Sequence, residues 1–239
     1  MIRAKFIALC LSAPAIAFSQ ADTGRPGTVF HVEGAVFLKD VPVTIDPARP
    51  AEVRNEQRLR TADGNAEMLF ALGSFIRLGA GSELEMVDAG LTSATVRLHR
   101  GAMIVEAFRT WGGDSLKVLA GDYEIAVTDP GEMRIEMSEG GHAAVEVLSG
   151  GLTASAPGQD YKVKKKQSAA LGPDGVQTAK IKALTADALT SWHEQRAKTV
   201  LAQTPKSQRR KGPSAYADGE TPIGLGELPD RSRSGVGGL

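Results

Sequence analysis

Histidines and strand-spaced acids are the residues of this sequence whose types could do chemistry. An imidazole can ligate a metal or carry a proton, and there are four, His31, His99, His142 and His193. A metal site needs several ligands brought close together, whereas each of these stands alone in its stretch of chain, so neither a metal nor a cofactor is expected. Among the acids, Glu83 and Glu85 fall on one face of a strand, as do Glu132 and Glu136 with Arg134 between them. Two carboxylates facing each other across a cleft can hydrolyse glycosides. Alternating charge along one strand ordinarily marks its wet face. No Gly-x-Ser-x-Gly elbow and no Gly-Lys-Ser phosphate loop occurs. The expectation is a protein without enzymatic activity and without catalytic residues, with an envelope hydrolase using strand carboxylates as an alternative.

One segment looks built for contact. Phe108-Arg109-Thr110-Trp111-Gly112-Gly113-Asp114 sets two aromatics and an arginine in a Gly-rich loop, in a chain with two Trp. Such side chains anchor protein interfaces, so Phe108, Arg109 and Trp111 are candidate partner contacts. The competing use of Trp111 is to cover the open end of the body.

These residues must be positioned by strands. From 22 to 175 the chain alternates apolar and polar residues in segments of about five, among them Arg58–Thr61, Thr95–Arg100, Met103–Phe108 and Leu116–Ala120, divided by Gly, Pro, Asp and Asn, as short strands with turns require. Met68 and Phe70, Ile76 and Leu78, Val96 and Leu98, and Tyr123, Ile125 and Val127 form inward sets, with Arg77, Arg97 and Glu124 outward. One apolar and one wet face per strand predict an all-β fold, with short antiparallel strands in a two-layer roll or sandwich. Asp63-Gly64-Asn65 reads as a hairpin turn. One helix is expected over 183–203, capped by Thr185, lying on the body through Leu189 and Trp192 with His193, Glu194, Arg196 and Lys198 on its polar side.

The ends read differently. Arg3 and Lys5 precede an apolar stretch from Phe6 to Phe18, followed by small residues, the layout of a secretory signal cut after Ala21. That stretch is shorter than the roughly 20 residues that span a bilayer. The lone Cys10 falls inside this leader, so the exported chain has no thiol, as suits the periplasm or the extracellular space. Residues 204–239, rich in Pro, Gly and Ser, predict a disordered tail. Its run Lys206, Arg209, Arg210 and Lys211 could touch an anionic surface. With 28 basic and 28 acidic residues the chain carries no net charge, which disfavours a nucleic-acid coat.

The stretch Leu59-Arg60-Thr61-Ala62-Asp63-Gly64, then Ala66-Glu67-Met68, Gly73-Ser74, Ile76-Arg77-Leu78 and Ser82-Glu83-Leu84, resembles the FecR domain. Leu98-x-x-Gly101, Val145-x-Val147-x-x-Gly150 and Gly158-Gln159 continue the family's order of strands, and Trp192 with Arg196 resembles its trailing helix. The resemblance implies an all-β extracytoplasmic module, which in the best-known members relays the state of an outer-membrane transporter to a sigma factor. No cytoplasmic anti-sigma segment or membrane-spanning helix is recognisable ahead of the domain. The expected role is therefore that of a standalone exported module binding a protein or envelope polymer, by β-addition at an edge or through the aromatic loop. A periplasmic signalling partner of a transporter and sigma-factor system is the other alternative.

Overall fold

Hairpins are laid alternately into two sheets that share one core. The computed structural model describes residues 25–203 apart from 47, 72–73, 109, 111–115 and 173–174. The expected leader with Cys10 and the tail with its basic run lie outside the described residues. β1 (Val29–Glu33) opens sheet I, and β2 (Val36–Leu38), β3 (Val41–Pro42) and β4 (Arg58–Thr61) lie in sheet II. The chain returns to sheet I for β5 (Asn65–Ala71) and β6 (Ser74–Leu78), then crosses to sheet II for β7 (Glu83–Ala89). β8 (Ala94–Ala107) belongs to both sheets. β9 (Leu116–Ala120) and β10 (Tyr123–Asp129) go to sheet II, β11 (Gly131–Met137) and β12 (Ala143–Val147) to sheet I. β13 (Gly151–Ala156) and β14 (Gln159–Lys164) return to sheet II, and β15 (Gln167–Gly172) and β16 (Gly175–Lys180) to sheet I, ahead of helix α1 (Ala188–Gln203).

Sheet I thus runs β1-β5-β6-β8-β11-β12-β15-β16, and sheet II β3-β2-β4-β7-β8-β9-β10-β13-β14. The all-β, two-layer expectation holds, with two corrections. Thr95–Arg100 and Met103–Phe108, expected as separate strands, form the single strand β8, and β9 pairs with its first half in parallel. Parallel neighbours usually need a crossover of a dozen or more residues. A straight β8 would put Ala107 about 43 Å from Ala94, at about 3.3 Å per residue. The chain from Ala107 to Leu116, which pairs with Ala94, reaches only about 32 Å. β8 must therefore bend, and it does so where its partners change, from β7 and β9 up to Arg100 to β6 and β11 from Gly101 onward. Gly101 has φ +83°, and a Cβ there would lie 2.2 Å from Ser82 Oγ.

The second correction concerns Asp63-Gly64. β4 and β5 lie in different sheets, so this turn is a crossing and not a hairpin. Its glycine is required by close approach, since a Cβ on Gly64 would meet the Glu33 carbonyl oxygen at 2.3 Å. Beside it the FecR-like residues tie a buried polar knot between the sheets. Thr61 Oγ1 donates to the Gly79 carbonyl and accepts from Ser82 N at 2.9 Å, while Ser82 Oγ accepts from Ala102 N at 3.0 Å. Thr61 and Ser82 are fully enclosed, so these pattern residues hold the corner at which three strands change layer.

Inner faces of both sheets meet in one apolar core. Met68, Phe70, Ile76 and Leu78 come from sheet I and Leu84, Val96, Leu98, Ile125 and Val127 from sheet II, the sets that alternation predicts. Burial of this kind contributes roughly 1.5–3 kcal/mol per large aliphatic or aromatic side chain.

Candidate functional site

The outer face of sheet I is not wet. A second apolar cluster, Ile104 of β8 with Leu184, Leu189 and Trp192, seats α1 on it. Leu189 also fits over Gly79, where a Cβ would crowd its side chain at 3.1 Å. Thr190 N donates to Asp187 Oδ1 at 2.9 Å, so Asp187 caps the helix. Thr185, the expected cap, donates from N to Glu146 of β12 at 2.7 Å and anchors the approach to the helix instead.

Beneath the helix lies a buried ionic network. Arg77 of β6, 3% exposed, donates from Nε to Glu67 Oε2 at 2.7 Å and from Nη1 to Glu106 Oε2 at 2.6 Å. The same Nη1 lies 2.7 Å from His193 Nδ1, and His193 Nε2 lies 3.0 Å from Glu132 Oε1. Arg196 Nη2 donates to the second oxygen of Glu67 at 2.8 Å. Arg134 of β11 joins Glu136 of its own strand, 3.0 Å, to Asp187 of the helix cap, 2.7 Å. Burial works against ionising Glu67, but the charge of Arg77 and the hydrogen bond and charge of Arg196 outweigh it and hold its carboxyl below the usual range. Asp187 is lowered likewise, burial being outweighed by the Thr190 amide and Arg134.

Sequence reasoning missed this site. Alternation correctly turns Arg77 away from the main core, and Glu132 and Arg134 onto the outer face, but it cannot show that a helix covers them. His193 and Arg196, placed on the helix's polar side, face the sheet and are largely buried. The available signal was Trp192, His193 and Arg196 on one side of a helix opposite the outer-face row Glu67↔Arg77, Arg77↔Ile104 and Ile104↔Arg134, in which every residue but Ile104 is charged.

The other candidates are dispersed. His99 Nε2 contacts Glu85 at 2.7 Å, and His31 contacts Glu33 at 2.9 Å and stacks on Trp192. These hydrogen bonds hold Glu85 and Glu33 below the usual range. His142 lies in the β11–β12 turn. Among the described residues no cluster of three or more His, Cys, Asp or Glu could hold a metal. Glu83 and Glu85 share Arg58, at 2.8 and 3.5 Å, and Glu83 also meets Arg100. A general acid needs a raised pKa. Each carboxylate shift resolved among the described residues runs downward.

Phe108 is half-buried, its ring edge-on to Phe75 at 6.0 Å, and Phe75 also meets Phe30 at 6.1 Å. This row of aromatics fixes where the loop leaves β8. Arg109 and Trp111 lie outside the described residues. A separate open groove of about 350 Å³ is lined by Leu38, Lys39, Val41, Pro50, Glu52, Arg54 and Gln57. Among the described residues no helix is long and apolar enough to cross a membrane.

Comparison with known proteins adds similarities to part of the chain. The chain is similar to two crystal structures of a proposed anti-sigma factor from Parabacteroides distasonis ATCC 8503, at 2.50 and 1.65 Å resolution. Identities are 13% and 12% and TM-scores 0.45 and 0.46, covering 60% and 61% of this chain. The matches span 62% and 64% of those structures, less than two thirds of either. No curated protein matches the sequence. The family model described as FecR protein matches residues 57–153, the stretch from β4 into β13 that holds the Thr61–Ser82 knot and the bent strand β8.

Proposed function

We propose that the protein is an exported, non-enzymatic binding module that recognises a protein or an envelope component in a sensory or structural role. The observation that carries this is the use made of its charged side chains. Arg77, Glu67, Glu106, Arg196 and Arg134 are spent on clamping α1 to sheet I, and Glu83 and Glu85 on ion pairs with Arg58. Such pairing fixes architecture, and at Glu67 it holds the carboxyl below the usual range, the opposite of what acid catalysis asks. The partner contact is the β8–β9 loop, in which Phe108, seated on Phe75, sets the starting point for Arg109 and Trp111. Lys206, Arg209, Arg210 and Lys211 supply a further contact to an anionic surface.

A second reading, favoured by the FecR match, makes the same loop the contact to a transporter or to the membrane partner of a sigma-factor system. Both readings predict a protein ligand or envelope polymer captured by chemical crosslinking in intact cells. Capture should fall at least tenfold in Trp111→Ala, with the protein level unchanged. Equal capture by the variant would remove the loop from the account.

A further inference from the structure

The four sheet edges are not treated alike. At β1 the outer edge is covered by the chain's own residues, Val29 N donating to the Ala51 carbonyl and Val53 N to the Gly27 carbonyl, both at 2.8 Å. β3 is two residues long and ends in Pro42, which has no N–H. β14 carries exposed Lys162 and Lys164 and runs into Lys165 and Lys166, the charged edge that resists strand addition. Among the described residues β16 carries a single lysine, Lys180 at its end, and none of the other guards. It is six residues long, Gly-Val-Gln-Thr-Ala-Lys, has neither proline nor register shift, and is exposed from Gln177 to Lys180.

The pairing of β16 shows which of its groups are open. Ile181 N donates to the Lys166 carbonyl, and antiparallel alternation from that bond directs Gly175, Gln177 and Ala179 toward β15. Val176, Thr178 and Lys180 then aim both N–H and C=O at the free edge. On the outer face the strand and its neighbour β15 carry small or neutral side chains, Ser168, Ala170, Gln177 and Ala179, so nothing projects beside the edge to obstruct an added strand.

We propose that β16 pairs antiparallel with β16 of a second copy, about a twofold axis at Thr178. The edge is self-complementary in that register. Thr178 exchanges both hydrogen bonds with its symmetry mate, and Val176 does so with Lys180, about six backbone hydrogen bonds in all. Each Lys180 falls opposite Val176, so the one charge of the strand never meets its copy. Gln177 lies beside Ala179 on the outer face. The pairing closes on itself and consumes the free edge of both copies, joining two copies of sheet I into one continuous sheet.

Sedimentation equilibrium of the full exported chain tests this. The wild type should be dimeric at about 100 μM and dissociate on dilution, as a small interface predicts. Thr178→Pro, which deletes the central N–H, and Thr178→Lys, which keeps it but sets two cations face to face, should both be monomeric with the wild-type thermal midpoint. In this thiol-free exported chain, Thr178→Cys should form an intermolecular disulfide under mild oxidation, its Cα atoms about 5.5 Å apart. Lys180→Cys should not. A wild-type monomer at about 100 μM, or a dimer indifferent to Thr178→Lys, would overturn the proposal. If Thr178→Pro fails to fold, Thr178→Lys and the cysteine pair decide alone.

Discussion

Arg77 Nη1 and His193 Nδ1 lie 2.7 Å apart inside the interface between sheet I and α1. An arginine has donors only, so Nδ1 accepts and Nε2 carries the hydrogen toward Glu132 Oε1, 3.0 Å away. One imidazole thus ties a helix to two strands, β6 and β11, that are not neighbours in sheet I. His193→Phe should leave the Arg77 N–H and the Glu132 carboxylate without that partner and cost about 1–3 kcal/mol, read as a lower urea midpoint.

Arg77 is the centre of the same network. Arg77→Met leaves Glu67 and Glu106 buried without their shared cation, for which about 3–5 kcal/mol is the expected loss. Arg77→Lys should recover only part of this, since one ammonium cannot reproduce the fork that reaches both carboxylates and His193. Urea unfolding of the two variants beside the wild type gives both differences.

Stability should also depend on pH, in a definite direction. Glu67 is held below its ordinary value of 4.5 and Asp187 below 3.8. A carboxyl depressed in the folded state contributes stability that is complete above its unfolded pKa and is lost as pH falls through the folded one. The unfolding free energy should therefore hold steady between pH 6 and 7 and fall from about pH 4.5 downward. Glu67→Gln should be less stable at pH 7 and show a shallower acid slope. An identical slope in the variant would mean that Glu67 does not carry the effect.

The crossing points make a separate prediction. Gly101→Ala forces a side chain into φ +83° and against Ser82, which should cost at least about 1–3 kcal/mol for the backbone alone. Ser82→Ala in the same chain should not restore the loss, since the strain remains. Thr61→Val keeps the shape but strands the enclosed Ser82 N–H, for which about 1–3 kcal/mol is expected. Thermal melts of the four proteins check these values.

Much of the fold can be read from side-chain alternation, because a strand with one buried face writes its period of two into the sequence. β4 and β9 appear with the boundaries alternation gives them. What alternation cannot show is which sheet a strand joins, so the crossing at Asp63-Gly64 resembled a hairpin and β8 resembled two strands. β15 and β16 were hidden for another reason: Ser168, Ala170, Gln177 and Ala179 are too small or too polar to mark a packed strand. The site under α1 was illegible because Arg77 and Glu106 have the residue types of a solvated face. Their burial follows from a helix more than 80 residues later in the chain.

The central claim is that the loop after Phe108 meets a partner while α1 stays clamped to sheet I. A photoreactive amino acid placed at Phe108, and as a control at exposed Glu194 on the outer side of α1, tests it in intact cells. The account predicts a discrete crosslinked adduct from position 108 and none from 194. An adduct from 194 with none from 108 would contradict it.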